Sequence, residues 1–377
     1  METERQPKRR RITNHAHNVR PNIVGSSSGE SNAPVIADPP ARVEEYWPSP
    51  KNVSTELRNI ESPSSRRNSL RALNQLVEWM TSEHIEYSAL VVENFHCYGG
   101  IARVLDFMEA NMDSRECVVG TAKVIAESIF FRWNTIDQSR KTAIEMAKML
   151  VRRKGIQRLL RVNSKHVIMD KITSDTKDIW LAIGRTMNGE ETRAMIGKSS
   201  KVSILRDATH CIRNLEKIKI SNDNSNTWTS DVLQVVLYAF ANTIKDASIG
   251  KEDSKRLDIV ASCLRIMNFH DGWNRNDTVV TYALGILVIC TKQKMIVTKT
   301  EFEQFLPMLI YCMRNFGEDV DIRSCVLILL ETTCEKVHKE RIESTGVLEA
   351  ISALLKLEGL CDKTKEKVRG IMRKIIN

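Results

Sequence analysis

Gly100-Ile-Ala-Arg-Val-Leu-Asp-Phe-Met108 and Gly346-Val-Leu-Glu-Ala-Ile-Ser-Ala-Leu354 carry the fold of this chain in miniature. Each opens on a glycine and then sets apolar residues at helical spacing. Further along, Ala122, Ile125, Ala126 and Ile129 stand at the same offsets from Gly100 as Val368, Ile371, Met372 and Ile375 do from Gly346. Those offsets are i, i+3, i+4 and i+7, the stripe of an amphipathic helix. Two segments far apart in the chain thus spell helix, turn, second helix in one register.

The same pattern recurs outward from these anchors. Phe305-Leu-Pro-Met-Leu-Ile-Tyr-Cys-Met313 opens a third unit 41 residues before Gly346, and Gly155-Ile-Gln-Arg-Leu-Leu160 opens a fourth, weaker one. Leu70, Leu73, Leu76, Val77 and Met80 mark a first helix, while Val232, Val235, Val236, Ala239 and Phe240 mark another. Alternating strand-like runs are scarce, so residues 64–377 are predicted to be all-α. A lone helical pair cannot bury its apolar face, so such units must stack on one another, and the stack needs polar ends. The final helix, Lys363–Ile376, suits a terminal place, with Val368, Ile371 and Ile375 inward and Lys365, Arg369 and Arg373 away from them.

Paired helices at a period near 40 residues resemble the armadillo/HEAT class of helical repeat, and the Gly-Ile/Val-x-x opening resembles armadillo more than HEAT. The resemblance covers most of residues 65–377. It implies a right-handed α-solenoid of armadillo-like repeats that binds partners along a concave face. Nuclear-import adaptors of that class carry a Trp followed four residues later by Asn. Here the positions four after Trp79, Trp133, Trp180, Trp228 and Trp273 are Glu83, Asp137, Gly184, Val232 and Asp277, so that array is absent.

Proline sets the other boundary. Eight of nine prolines fall within the first 63 residues, and proline is poorly tolerated inside helices. Residues 1–63 are therefore expected to form a disordered basic, Pro/Ser-rich tail, with a turn of helix at Ser54–Ile60.

The 377 residues carry a net charge of +9, with 42% hydrophobic and 27% charged residues, an ordinary globular balance. The longest apolar run, Tyr282–Cys290, is too short for a membrane span, and no apolar stretch follows the Met-Glu-Thr-Glu-Arg start, so no secretory signal is expected. Nine dispersed cysteines without Cys-x-x-Cys spacing point to reduced core thiols in a cytoplasmic or nuclear protein.

Catalytic signatures fail on their spacing. Gly197-Lys-Ser199 resembles the end of a phosphate-binding loop, but the required first glycine is Thr192. His96-Cys97 supplies two of the four ligands that a zinc site needs. No enzyme, cofactor or metal is expected.

The charged motifs are more informative. Lys8, Arg9, Arg10 and Arg11 resemble a nuclear-import signal, Thr13 and Ser69 resemble basophilic kinase sites, and Ser49-Pro50 and Ser62-Pro63 resemble proline-directed ones. Between Arg152 and Lys165 the chain holds six formal positive charges and no acid. Within that run Arg158, Arg161 and Lys165 share an i, i+3, i+7 face, a candidate contact for an acidic partner. The functional expectation is a non-catalytic scaffold or adaptor with a protein or peptide ligand. Its alternative is a nucleic-acid-binding protein using the Arg152–Lys165 stripe and the basic tail. No membrane partner is expected.

Overall fold

The computed structural model describes residues 50–62, 65–130, 137–167, 175–221, 227–246, 248–268, 277–296, 299–337, 339–357 and 360–376. Among them are 20 α-helices and no strand. The helices come in threes: α1 (Pro50–Glu61), α2 (Arg66–Met80) and α3 (Ile85–Cys97), then α4 (Gly100–Ala110), α5 (Arg115–Ser128) and α6 (Asp137–Arg152). They continue with α7 (Gly155–Val167), α8 (Thr176–Asn188) and α9 (Glu190–Met195), then α10 (Lys198–Ser221), α11 (Thr227–Ile244) and α12 (Lys251–Arg256). The remainder are α13 (Ile259–Asn268), α14 (Asp277–Lys292), α15 (Lys299–Glu303), α16 (Phe305–Phe316), α17 (Val320–Lys336), α18 (Lys339–Glu343), α19 (Val347–Leu355) and α20 (Asp362–Ile376).

Packing follows the same period. The second helices of each triplet pack in succession, α2 on α5, α5 on α8, α8 on α11, α11 on α14, α14 on α17 and α17 on α20. The first helices do likewise, from α1 and α4 through to α16 and α19. Within each triplet the first helix packs on the second. The four units legible in sequence are the pairs α4/α5, α7/α8, α16/α17 and α19/α20.

Burial explains the register. From the first helix of each unit, Ile101, Val104, Leu105 and Met108 point into the core, as do Phe305, Met308, Leu309 and Cys312, and Val347, Ala350, Ile351 and Leu354. Each fully buried aliphatic or aromatic chain contributes about 1.5–3 kcal/mol relative to exposure. In α10 the corresponding set opens with Lys201, which is buried and ion-paired to Asp246 at 2.6 Å. Burial would raise the Asp246 carboxyl, but hydrogen bonds from Lys201 and Ser248 hold it down at about 2.

A backbone feature marks the junctions. Gly99, Lys154, Asp258 and Gly346, each just before the first helix of a unit, all lie at positive φ (69°, 56°, 56° and 78°). Glycine reaches that region freely, whereas a side chain there is strained. Three other helices carry side-chain caps: Ser65 accepts from the Asn68 N–H, Ser114 from the Cys117 N–H, and Asp319 from the Asp321 and Ile322 N–H groups.

The boundary at residue 63 needs correction. Pro50 to Glu61 is helix α1, not tail, and its Val53, Leu57 and Ile60 are fully buried among α2, α3 and α4. Pro50 opens the helix, where its missing N–H is no loss, so proline density there marks a helix start. Those three apolar residues form a complete i, i+4, i+7 stripe.

Candidate interaction surface

The basic face of α7 is already occupied from within. Arg158 Nη1 lies 3.2 Å from Asp106 Oδ1 and 3.1 Å from Glu109 Oε2, both on α4. Arg161 reaches Glu109 at 3.6 Å, and Lys165 pairs with Asp113 just beyond α4. The acids stand at i, i+3 and i+7, like the cations that meet them, so the two rows mesh charge for charge. The Lys165 hydrogen bond holds the Asp113 carboxyl below its ordinary range. His166 adds a contact at 2.9 Å to the Met112 carbonyl. The candidate acidic-partner contact is thus the α4–α7 seam.

Ser69 also changes character. It is 1% exposed, and its hydroxyl donates to the Ile60 carbonyl at 3.2 Å, tying α2 to the end of α1. A kinase cannot reach it in the folded chain, which corrects the expected phosphosite. Lys8, Arg9, Arg10, Arg11, Thr13 and Ser49 lie outside the described residues, as do Trp133, Trp273 and Pro63.

Gly197-Lys-Ser199 follows the short helix α9 and begins α10, and Lys198 is engaged by Asp253 at 2.8 Å. His96 and Cys97 end α3, and among the described residues no three His, Cys, Asp or Glu groups gather as a metal site. Trp180 is fully buried in α8. Cys211, Cys290 and Cys312 are buried thiols pushed up to about 12 by desolvation, whereas Cys97 and Cys361 are exposed. No helix among the described residues is long and apolar enough to cross a membrane.

The second helices carry a row that their sequence did not announce. Glu127 on α5, Arg185 on α8 and Asn242 on α11 each precede a buried hydroxyl residue, Ser128, Thr186 and Thr243 respectively. Thr186 and Thr243 donate to carbonyls four residues back in their own helices, at 2.7 Å each. The recurring polar-Ser/Thr dipeptide after an apolar stripe is the signal that could have found the row.

Its geometry is tight. Arg185 Nη1 sits 3.1 Å from Glu127 Oε1 and 2.6 Å from the Ala126 carbonyl, with 9% of its side chain exposed. The Phe130 ring covers its guanidinium at 3.9 Å, a cation–π contact. Desolvation by burial lowers the Arg185 pKa from its ordinary value, opposed by the Glu127 charge. Next along, Tyr238 of α11 packs over Gly184 so closely that a Cβ there would meet its ring carbon at 2.5 Å. Asn242 donates to the Gly184 carbonyl at 3.4 Å and accepts from Lys245 at 2.9 Å. Tyr238 then meets Tyr282 of α14, with ring centroids 6.0 Å apart. Burial lifts the Tyr238 hydroxyl above its ordinary range. At the head of α8, desolvation raises the Asp178 carboxyl to about 6 despite Lys123 and Lys177 nearby.

A chain of ion pairs runs along the N-terminal ends of the same helices. Arg66 meets Glu116 at 3.5 Å, Arg115 meets Asp175 at 2.6 Å, and Lys177 meets Asp231 at 3.6 Å. Each cation reaches an acid from the next triplet. Half-exposed pairs of this kind contribute little each, so their main effect is to fix register.

No protein-family model matches this chain, and no curated protein matches it. Among solved structures, two crystal structures of engineered proteins from the Northeast Structural Genomics Consortium are similar to it at 12% and 13% identity. The similarity covers 86% and 80% of this chain and 96% and 98% of theirs, with TM-scores of 0.38 and 0.39.

Proposed function

We propose that the three-helix units stack as an armadillo-like, right-handed α-solenoid and that the protein is a non-catalytic scaffold or adaptor. Its protein or peptide ligand lies across the second helices, over the row formed by Glu127, Arg185, Tyr238, Asn242 and Tyr282. The observation that supports this most is the continuity of that row over α5, α8, α11 and α14, whose largely buried polar and aromatic groups hold successive second helices in register beneath a shared surface. Partly buried Leu181, Val235 and Ile289 supply apolar area on the same helices. Such surfaces recognise an extended partner through many modest contacts, with a few aromatic and arginine residues dominant.

The nucleic-acid alternative rests on the Arg152–Lys165 stripe and the basic tail; within the stripe Arg158, Arg161 and Lys165 meet carboxylates of this chain, and the tail lies outside the described residues. The protein-binding reading is therefore the one we retain.

Photo-crosslinkers at Leu181, Val235 and Ile289, compared with Gln157 on α7, test it. One protein crosslinked reproducibly at the first three and not at Gln157 supports the proposal. Crosslinks to RNA, or no protein at any of the three, overturn it.

A further inference from the structure

The basic run of residues 152–165 divides in two. Its C-terminal half is held by Asp106 and Glu109 of α4 and by Asp113 just beyond it. Its N-terminal half, Arg152, Arg153 and Lys154, makes the turn between α6 and α7 and is exposed at all three residues. Among the described residues, none of these three side chains comes within ion-pair distance of a carboxylate, whereas Arg115, Lys177, Lys201 and Arg213 are all paired across helices.

The turn is also one of three places among the described residues where a non-glycine residue takes a positive φ, beside Asp258 and Lys294. The junction position that holds glycine before α4 and α19 holds Lys154 before α7, at φ 56°. Before α13 the position is Asp258, which earns no such question because Arg213 and Arg265 engage it at 3.0 and 3.1 Å. Lys154 has no such engagement, yet it keeps a side chain where glycine would sit without strain.

We propose that Arg152, Arg153 and Lys154 bind an acidic segment of a partner protein, at a surface separate from the second-helix row. The chain itself displays the recognition mode: Asp106 and Glu109 on α4 and Asp113 just beyond it neutralise the other half of this run. A short acidic segment ends within the turn. A nucleic-acid backbone runs on, past Glu145 on α6 and Glu191 on α9, which already share Lys148 at 2.8 and 2.5 Å. Those carboxylates repel any polyanion that runs on along α6, so the turn suits a short acidic segment better than a continuous phosphate backbone.

The test uses the full chain and a labelled tri-glutamate peptide, a ten-nucleotide RNA and phosphatidylserine vesicles, with binding followed against salt. The comparison variant is Arg152→Ser, Arg153→Ser and Lys154→Gly together, its fold checked by circular dichroism and thermal melting. The proposal expects tri-glutamate binding that weakens with salt and falls about tenfold or more in the variant. RNA and vesicles should show no binding that the variant abolishes. Equal peptide affinity in the two proteins, no peptide binding at low salt, or turn-dependent binding of RNA or vesicles overturns it. A change in the variant's fold is controlled by Lys154→Gly alone, which should melt no lower than wild type and still lose peptide affinity.

Discussion

Arg185 of α8 lies between the Glu127 carboxylate of α5, 3.1 Å away, and the Phe130 ring, 3.9 Å away. The pair is nearly enclosed, with side-chain exposures of 9% and 14%. Removing one partner strands the other charge, so Glu127→Ala should destabilise by about 3 kcal/mol. Replacing both, as Glu127→Leu with Arg185→Met, should recover most of that loss. Urea denaturation of the single and double variants measures the difference, and an additive double variant would contradict the pairing.

Asp178 gives a pH-dependent signature. Its carboxyl is raised from 3.8 to about 6 in the fold, chiefly by desolvation. The folded state therefore holds the proton more tightly than the unfolded one, and the ionised form is the unfavourable one. Its penalty is fully present above about pH 6 and fades as pH falls toward the ordinary carboxylate value. Asp178→Asn should accordingly stabilise the protein at pH 7.5, by about 2 kcal/mol, with the gain vanishing near pH 4. Denaturation midpoints of both proteins across that range test it. A gain that grows on acidification has the wrong sign.

The left-handed junctions predict opposite outcomes for similar changes. Gly99 has φ 69° and open space around a would-be Cβ, so Gly99→Ala should cost about 1 kcal/mol from conformation alone. Lys154→Gly should stabilise by a similar amount, because the strain is already present. Thermal melting that ranks the two the other way would contradict the assigned backbone.

Ser69 predicts a refusal. A basophilic kinase acting on the folded protein should leave Ser69 unmodified, since its hydroxyl is buried against the Ile60 carbonyl. Ser69→Asp should destabilise by more than about 3 kcal/mol by burying an unpaired charge. Mass spectrometry before and after unfolding distinguishes a protected site from an unrecognised one.

Much of this architecture is legible in the apolar spacing after Gly100, Gly155, Phe305 and Gly346, because long amphipathic helices repeat their stripe often enough to be seen. The third helices of the later triplets are not. Lys251–Arg256, Lys299–Glu303 and Lys339–Glu343 are a turn or two long and carry too few apolar residues to show a period. Helix α1 was read only as a turn at Ser54–Ile60 because of the prolines around it, although Val53, Leu57 and Ile60 mark its full length. Site residues were harder still. Arg158 reads as a free cation until α4 is known to lie beside α7, and Glu127 reads as surface until Arg185 arrives from the next triplet. Charge on a helix face has no meaning without its neighbour, and the neighbour is set by stacking that sequence spacing alone does not reveal.

The central claim is that the triplets stack in chain order. Cys97 at the end of α3 and Cys361 before α20 are the exposed thiols among the described residues, so both take spin labels once half-buried Cys334 is replaced by serine. Packed helices lie about 8–10 Å apart, and consecutive stacking places most of the chain between the two labels. Pulsed electron–electron resonance should give a single distance distribution beyond about 45 Å. A distribution centred below about 30 Å would mean that the ends of the array meet, and would contradict stacking in chain order.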